Sequence, residues 1–211
     1  MDRKRKIVLG IVISITIVLG GFGGYLILNN YLGNRNQDYN DTPPILLFPV
    51  EDTNTLDLLY GYNMSDPENG HNGIDFIINT TVNIVASCNM TVNDKSMAYV
   101  EDGGFWQAGI SCDVNDAYEL FYAFENFATS QTAGQEQLDA ITVEVGQKIV
   151  AGQVIGQLLY LSSGTHIHYM LHKNGQAVCP YQYFNTSVKN TFDILWAEIG
   201  YPGTPCNCTL S

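Results

Sequence analysis

Residues 165–173 have the sequence THIHYMLHK, a short segment rich in β-branched and aromatic residues of the kind found in β-strands. On a strand, the side chains of His166 and His168 point to the same face, about 6.6 Å apart along the chain at about 3.3 Å per residue. Two imidazoles on one face are what a shared metal or substrate site needs. The segment therefore predicts a strand that carries the imidazoles of His166 and His168 on one surface.

Comparable segments fill most of residues 45–185, which indicates an all-β domain. Turns rich in Gly, Asn and Asp separate IDFIINTTVNIVASC at 74–88, SMAYV at 96–100 and ITVEV at 141–145. In residues 143–159, VEVGQKIVAGQVIGQLL, glycines recur among apolar residues, which predicts tight turns between very short strands. A similar repeat occurs in biotinyl and lipoyl carrier domains, but the Met-Lys or Asp-Lys turn that carriers modify is not evident in this segment.

Residues 186–211 predict a short helix followed by a cysteine-containing tail. Apolar residues recur with the i, i+3, i+4, i+7 spacing of one helix face, and stop signals follow them. The apolar positions are Phe192, Leu195, Trp196 and Ile199, and the stop signals are Gly200 and Pro202. We expect this helix to cover the core of the β-domain.

Residues 1–28 predict a cytoplasmic basic tip and a transmembrane helix. Residues 7–28 are 22 consecutive uncharged and mostly apolar residues, which as a helix span about 33 Å. Four basic residues at positions 3–6 predict a cytoplasmic N-terminus and a single-pass protein whose later domain is extracellular or periplasmic. A cleaved signal peptide is the alternative, although its apolar core is shorter and an A-x-A-like site is absent here.

Two features adjoin this predicted span. Gly20 and Gly24 have the G-x-x-x-G spacing that can pair two membrane helices, which predicts a weak homodimer. Residues 29–44 are rich in Asn, Asp and Gly, end in Pro43-Pro44 and carry no apolar period, as is typical of a linker.

The chain beyond the basic tip is strongly acidic. From residue 7 onward it has 5 basic and 20 acidic residues, so it cannot neutralise a phosphate backbone. The composition therefore argues against nucleic acid as a partner.

The five cysteines match no C-x-x-C zinc pattern, so disulfides are the expected use outside the cell. Cys88 and Cys112 lie in segments expected to pair as neighbouring strands, which predicts a bridge between them. Cys179 is expected to reach Cys206 or Cys208. An odd number leaves one cysteine over or paired between chains.

A second histidine motif adds a carboxylate to the candidate site. His71 and Asp75 are separated by an even number of residues, so in extended backbone they share a face, and Gly73 permits a tight local path. Together with a histidine of residues 165–173 they make two imidazoles and one carboxylate, the donor set of a catalytic zinc site with one open position. Three of the chain's four histidines fall in these two motifs, which favours a joint role over scattered structural ones.

Four blocks of residues 45–185, taken in order, resemble the lysostaphin-like or LytM-domain zinc metallopeptidases. The blocks are His71-x-Gly-Ile-Asp75-Phe76, NTTVNIVASCNMTV at 79–92, VEVGQKIVAGQVIG at 143–156 and THIHYMLHKNGQAVCPYQYF at 165–184.

The resemblance implies a mostly antiparallel β-domain with short hairpins and a zinc-holding groove. Zinc would be held by His71, Asp75 and His168, with His166 as catalytic base or polariser. The family's substrate is a peptide cross-link, usually in bacterial peptidoglycan.

One departure from the family concerns a further histidine in a Tyr-Ala-His segment. The corresponding stretch here is Phe121-Tyr122-Ala123-Phe124, with Phe124 where that histidine is expected. Phenylalanine cannot donate a hydrogen bond, and loss of an oxyanion donor typically costs about 10²–10³ in rate. His172, on the strand that carries His168, is the alternative donor.

Two functions follow as hypotheses. The first is a membrane-anchored zinc metalloendopeptidase that acts on cell-envelope, peptidoglycan-type peptides with reduced activity. The second is a catalytically degenerate domain of the same fold that serves as an envelope binding or regulatory module.

Overall fold

The computed structural model describes residues 39–62, 71–201 and 203–206. Those from Asn40 onward belong to one compact unit. Within the described ranges, the chain has no helix that is both long and apolar enough to cross a membrane. The predicted membrane helix, its glycine pair and most of the predicted linker lie outside these ranges.

An eight-stranded, antiparallel sheet forms the body of the domain, and a two-stranded sheet packs with it. The order in the large sheet is β1-β2-β9-β6-β5-β4-β7, with β10 paired to β9 beyond the end of β2. The small sheet pairs β3 with β8. The strands are β1 Leu56–Tyr60, β2 Ile74–Ile78, β3 Val82–Val85, β4 Met90–Val100, β5 Phe105–Asp113, β6 Tyr118–Ala128, β7 Lys148–Ile149, β8 Val154–Leu158, β9 His166–Lys173 and β10 Gln176–Val178. The predicted β-domain is therefore confirmed.

Alternation along the central strands separates a core face from an open face. In β6 every second residue from Tyr118 to Ala128 is buried, while the residues between them are only partly buried. In β9 the same period buries Ile167, Tyr169 and Leu171 completely. The open face of β6 and β9 is thus free to carry polar groups.

The domain has two α-helices, α1 Gln131–Asp139 and α2 Thr186–Ile199. Helix α2 confirms the predicted C-terminal helix. The Asn185 side chain caps its first turn by accepting from the Val188 N–H, and Gly200 ends it with φ of 80°. Phe192 and Trp196 face the core as the spacing predicts, and Phe192 packs edge-on against Phe76. Helix α1 was not predicted from the sequence.

The glycine-rich segment forms tight turns, as predicted. Gly146 and Gly152 have φ of 83° and 80°, a backbone region that favours glycine, and they bracket the two-residue strand β7. The segment ITVEV is not a full strand, since only Ile141 makes a bridge, to Gly156.

The cysteine predictions have two outcomes. Cys179 and Cys206 form a disulfide, as expected. The predicted Cys88–Cys112 bridge is wrong, because both residues are free and buried. Cys112 lies opposite Val92 in the β4–β5 pair, whereas Cys88 precedes the start of β4. Burial raises the pKa of each thiol to about 12, so both stay protonated at neutral pH.

Candidate metal centre

The register of strands β2, β9 and β6 brings the predicted side chains onto one surface. Asp75 lies opposite His168 in the β2–β9 pair, and His166 lies opposite Glu125 in the β9–β6 pair. These four side chains are 12–16% exposed, so they are shielded but still reachable from solvent. The histidines of residues 165–173 therefore share a face as predicted.

Three donor atoms converge next to this surface. His71 Nε2 lies 3.1 Å from Asp75 Oδ1 and 3.1 Å from His168 Nδ1, and His168 Nδ1 lies 2.6 Å from Asp75 Oδ1. Ligand atoms about 2.0–2.1 Å from a tetrahedral zinc are about 3.3 Å apart. The triangle therefore has nearly the dimensions of one face of a zinc tetrahedron, with the fourth position open.

Glycine is needed where the chain leads from His71 into β2. A Cβ at Gly73 would lie 2.7 Å from the Tyr169 carbonyl oxygen and 2.9 Å from His168 Cε1. Both contacts are closer than atoms tolerate, and the first is to backbone that cannot turn away. The absence of a side chain at Gly73 lets His71 approach His168.

Hydrogen bonds outside the triangle fix which ring nitrogens are free. His71 Nδ1–H donates to the Gly61 carbonyl at 2.8 Å, and His168 Nε2–H donates to Asn72 Oδ1 at 3.0 Å. The other nitrogen of each ring faces Asp75 Oδ1, where it donates a hydrogen bond when it carries a proton and offers a lone pair to a metal when it does not. Three acceptors facing one another are stabilised by a positive charge at their centre, which a metal ion supplies. The residues present therefore fit a zinc ion.

The same geometry accounts for the titration of this cluster. Burial opposes ionisation of Asp75, but hydrogen bonds from His168 and His71 outweigh it and hold the Asp75 pKa well below its usual range. Burial lowers the pKa of His71, but its hydrogen bond to Asp75 and the charge of that carboxylate produce a net rise. The carboxylate is thus anionic at neutral pH, as a metal ligand must be.

His166 points to the triangle from the side. Its Nδ1–H donates to the Gly164 carbonyl at 2.8 Å, so Nε2 faces the site, 3.7 Å from Asp75 Oδ1 and 3.4 Å from Glu125 Oε2. Burial lowers the His166 pKa, but the bond to Glu125 and the charges of both carboxylates raise it overall. Gln107 donates to Glu125 Oε1 at 2.5 Å and steadies that carboxylate. His166 is therefore held as a base whose protonated form is stabilised.

Phe124 does not lie in the site, and this corrects the expectation that it replaces a catalytic histidine there. Its side chain is fully buried, and its cross-strand partner is Ile167. Because strand residues alternate between faces, the open face at this level carries Ala123 and Glu125 instead. Sequence reasoning missed Glu125, and only the parity of β6 relative to His166 could have indicated it.

His172 lies four residues beyond His168 on β9, opposite Glu119, and its ring packs 4.6 Å from that of Phe121. It is not part of the cluster that could hold a metal. A row of small side chains instead crosses the sheet from the triangle, since Ala123, Gly109 and Ser96 follow His168 on successive strands. An extended segment can approach the metal centre over such a low surface.

Comparison with known proteins identifies the family to which the chain belongs. The model of Peptidase family M23 matches residues 69–180, more than half of the chain, and this range includes the three residues of the triangle as well as His166 and Glu125. The chain belongs to peptidase family M23. M23 members are zinc peptidases, and His71, Asp75 and His168 form a cluster able to hold that metal.

Several solved structures are similar to this chain. A zinc-containing peptidase from Vibrio cholerae is 18% identical over 65% of this chain and 39% of its own, with a TM-score of 0.46. Csd3 from Helicobacter pylori is 21% identical over 71% of this chain and 38% of its own, with a TM-score of 0.46. The catalytic domain of lysostaphin from Staphylococcus simulans is 21% identical over 62% of this chain and 93% of its own, with a TM-score of 0.43.

The chain thus spans well under two-thirds of the first two of these proteins. No curated protein matches the sequence itself.

Proposed function

We propose that this M23 chain is a zinc metalloendopeptidase that hydrolyses cell-envelope peptides of the peptidoglycan type. The observation that carries the proposal is the convergence of three ligand atoms, from His71, Asp75 and His168, while the other ring nitrogen of each histidine is already hydrogen-bonded. Family membership supports peptide hydrolysis, and the low row Ala123–Gly109–Ser96 supports an extended peptide as substrate.

Zinc bound by these residues would supply the Lewis acidity that polarises a peptide carbonyl and acidifies a water molecule. The chain's own contribution is to move the proton. His166 Nε2 faces the triangle, so it can take a proton from the attacking water and return it to the leaving amine. Glu125 stabilises the imidazolium that forms, and Gly164 keeps the ring oriented through Nδ1.

The rate we propose is low for a zinc peptidase. The open face of β6 beside the triangle carries Ala123 and Glu125, and neither is a histidine. A carboxylate cannot donate a hydrogen bond to a developing oxyanion, so that stabilisation falls to the protonated His166 alone. The same observation favours the second candidate function, a degenerate M23 domain that binds envelope peptides without cleaving them.

Metal analysis and a cleavage panel test the proposal. Full-length chain purified in detergent should contain about one zinc, and His168→Ala should remove it. Incubation with linear and cross-linked envelope peptides should give slow cleavage that is lost in His166→Ala while its zinc is retained. Zinc binding without cleavage of any peptide would favour the binding module, and failure to load zinc would reject the zinc peptidase.

The proposed location is the outer side of a cell membrane, with residues 7–28 as a single span. The supports are the length of that apolar segment and the basic residues before it. Protease added to intact cells should remove the domain and leave the N-terminus protected. A chain that stays whole under those conditions, yet is cut after lysis, would place the domain inside.

A further inference from the structure

The orientation of His71 depends on a segment that is not part of a paired strand. The ring is anchored by its Nδ1–H bond to the Gly61 carbonyl, 2.8 Å away, and by an edge contact with the Tyr60 ring at 5.3 Å. Tyr60 is the last paired residue of β1, opposite Asp75, and β1 is an edge strand. Gly61 therefore lies past the end of the β1–β2 ladder.

The C-terminal tail holds this segment in place. The Tyr62 N–H donates to the Pro205 carbonyl at 2.8 Å, and the Tyr62 hydroxyl donates to the Ala177 carbonyl of β10 at 3.2 Å. Tyr62 is thus fixed between the tail and β10. Gly61, its neighbour, is buried, as are Pro205 and Cys206.

The tail is itself fastened to the sheet by a covalent bond. Cys206, next to Pro205, is bridged to Cys179, which follows β10 directly. The path from the disulfide to the metal ligand is continuous: Cys179–Cys206, then the Pro205 carbonyl, the Tyr62 N–H, the Gly61 carbonyl and His71 Nδ1.

We propose that residues 203–206, closed by the Cys179–Cys206 disulfide, form a clasp that positions the metal ligand His71. The clasp holds the Gly61 carbonyl where it selects the Nδ1–H tautomer of His71, which leaves Nε2 free as a ligand. Hydrogen-bond partners of metal-ligating histidines typically contribute about 10- to 100-fold in metal affinity. Opening the disulfide should therefore weaken zinc binding although no ligand is lost. The inference rests on the proposed zinc site.

The test compares full-length wild type with Cys206→Ser in two measurements. The first is the zinc dissociation constant by chelator competition, which should rise about 10- to 100-fold. The second is a long-range ¹H–¹⁵N spectrum of the metal-free protein labelled at histidine, recorded at a pH above the raised pKa of His71, and the protein has only four imidazoles to assign. His71 should lose its pure Nδ1–H signature, while His166 keeps its own because Gly164, not the clasp, orients it.

Cys88→Ala is the matched control, since it removes a free, buried thiol that the clasp does not use. Its His71 tautomer and zinc affinity should equal those of wild type. Tyr62→Phe is the second variant if Cys206→Ser does not fold, because it removes only the hydroxyl bond to Ala177 and should produce a smaller shift in the same direction.

Each outcome decides a different claim. An unchanged His71 signature with the disulfide absent would overturn the clasp, whatever the zinc affinity. If Cys206→Ser changes the His71 signature but the wild type never binds zinc, the clasp would stand as a device that positions His71, and the proposed function would be rejected.

Discussion

Glu125 gives the catalytic histidine an anionic partner that the sequence pattern did not disclose. We expect Glu125→Gln to keep the hydrogen-bonding shape of the side chain but remove the charge that stabilises protonated His166. General-base catalysis typically supplies about 10²–10⁴ in rate, and a weakened base should forfeit about tenfold of it. The measurements are kcat on a cleaved envelope peptide and zinc content, which should not change.

Glu119→Gln is the matched control for this prediction. Glu119 is on the same strand and face, but it lies opposite His172 rather than His166. Equal rate losses in the two variants would mean that general negative charge, not the His166 partner, matters.

Phe124→His illustrates how strand parity changes an expectation. If Phe124 lined the groove, a histidine there would raise activity. Because Phe124 is fully buried against the core, we expect instead a loss of about 3 kcal/mol in the free energy of unfolding and no gain in rate. Chemical denaturation with peptide cleavage on the same samples tests this, and a faster enzyme of normal stability would contradict it.

Gly73, just before β2, packs closely against β9 and leaves no room for a side chain. A Cβ there would press on the Tyr169 carbonyl and the His168 ring, so Gly73→Ala should displace a metal ligand. We expect zinc affinity to fall by at least about tenfold, in line with the effect of losing other ligand-orienting contacts. Chelator competition measures it.

Gly104→Ala is the comparison for that variant. Gly104 has φ of 69° but nothing within 4 Å of an added Cβ. It should lose about 1 kcal/mol of stability through backbone strain and keep its zinc affinity. If both variants bound zinc like wild type, close packing at Gly73 would have no role in the site.

The sequence predicted the elements whose signals are local. The strand with His166 and His168, the turns at Gly146 and Gly152, and helix α2 all follow from period, β-branching and stop signals within a few residues. Helix α1 was not predicted because its sequence, QTAGQEQLD, has too few apolar residues to show one apolar helix face.

Features that depend on register could not be predicted in this way. The alignment of β6 with β9 decides that Glu125 lies opposite His166. The alignment of β4 with β5 decides that Val92, not Cys88, lies opposite Cys112. A shift by one residue moves every side chain of a strand to the other face, and the sequence alone did not show that Phe124 belongs to the buried face of β6. The two histidine motifs were recognised because their spacing is short, and the resemblance to the LytM-domain peptidases assigned the metal ligands among them.

At the scale of the whole molecule, one disulfide closes a loop that includes helix α2. The bridge spans 27 residues, so its removal should cost about 3.5 kcal/mol in the chain-entropy model. We expect Cys179→Ser to lower the free energy of unfolding by about this amount. Mass mapping of unreduced protein should find Cys179 linked to Cys206 and alkylatable thiols at Cys88 and Cys112 after denaturation.

A bridge between Cys88 and Cys112 in that map would contradict the structure. Cys112→Ala provides the comparison for stability, since it removes a buried thiol without opening a loop, and it should cost less than Cys179→Ser.

The path from Cys206 to His71 bears on how such a domain could be exchanged between proteins. The family-wide segment, residues 69–180, contains all three ligands but neither the Gly61 carbonyl nor Cys206. A chimera that transplants only this segment into a relative would carry the ligands. It would lose the Gly61 carbonyl, which precedes the segment, and Cys206, which follows it. Recombination that preserves function should therefore have its crossovers before β1 and after Cys206, so that the heritable module is longer than the segment by which the family is recognised.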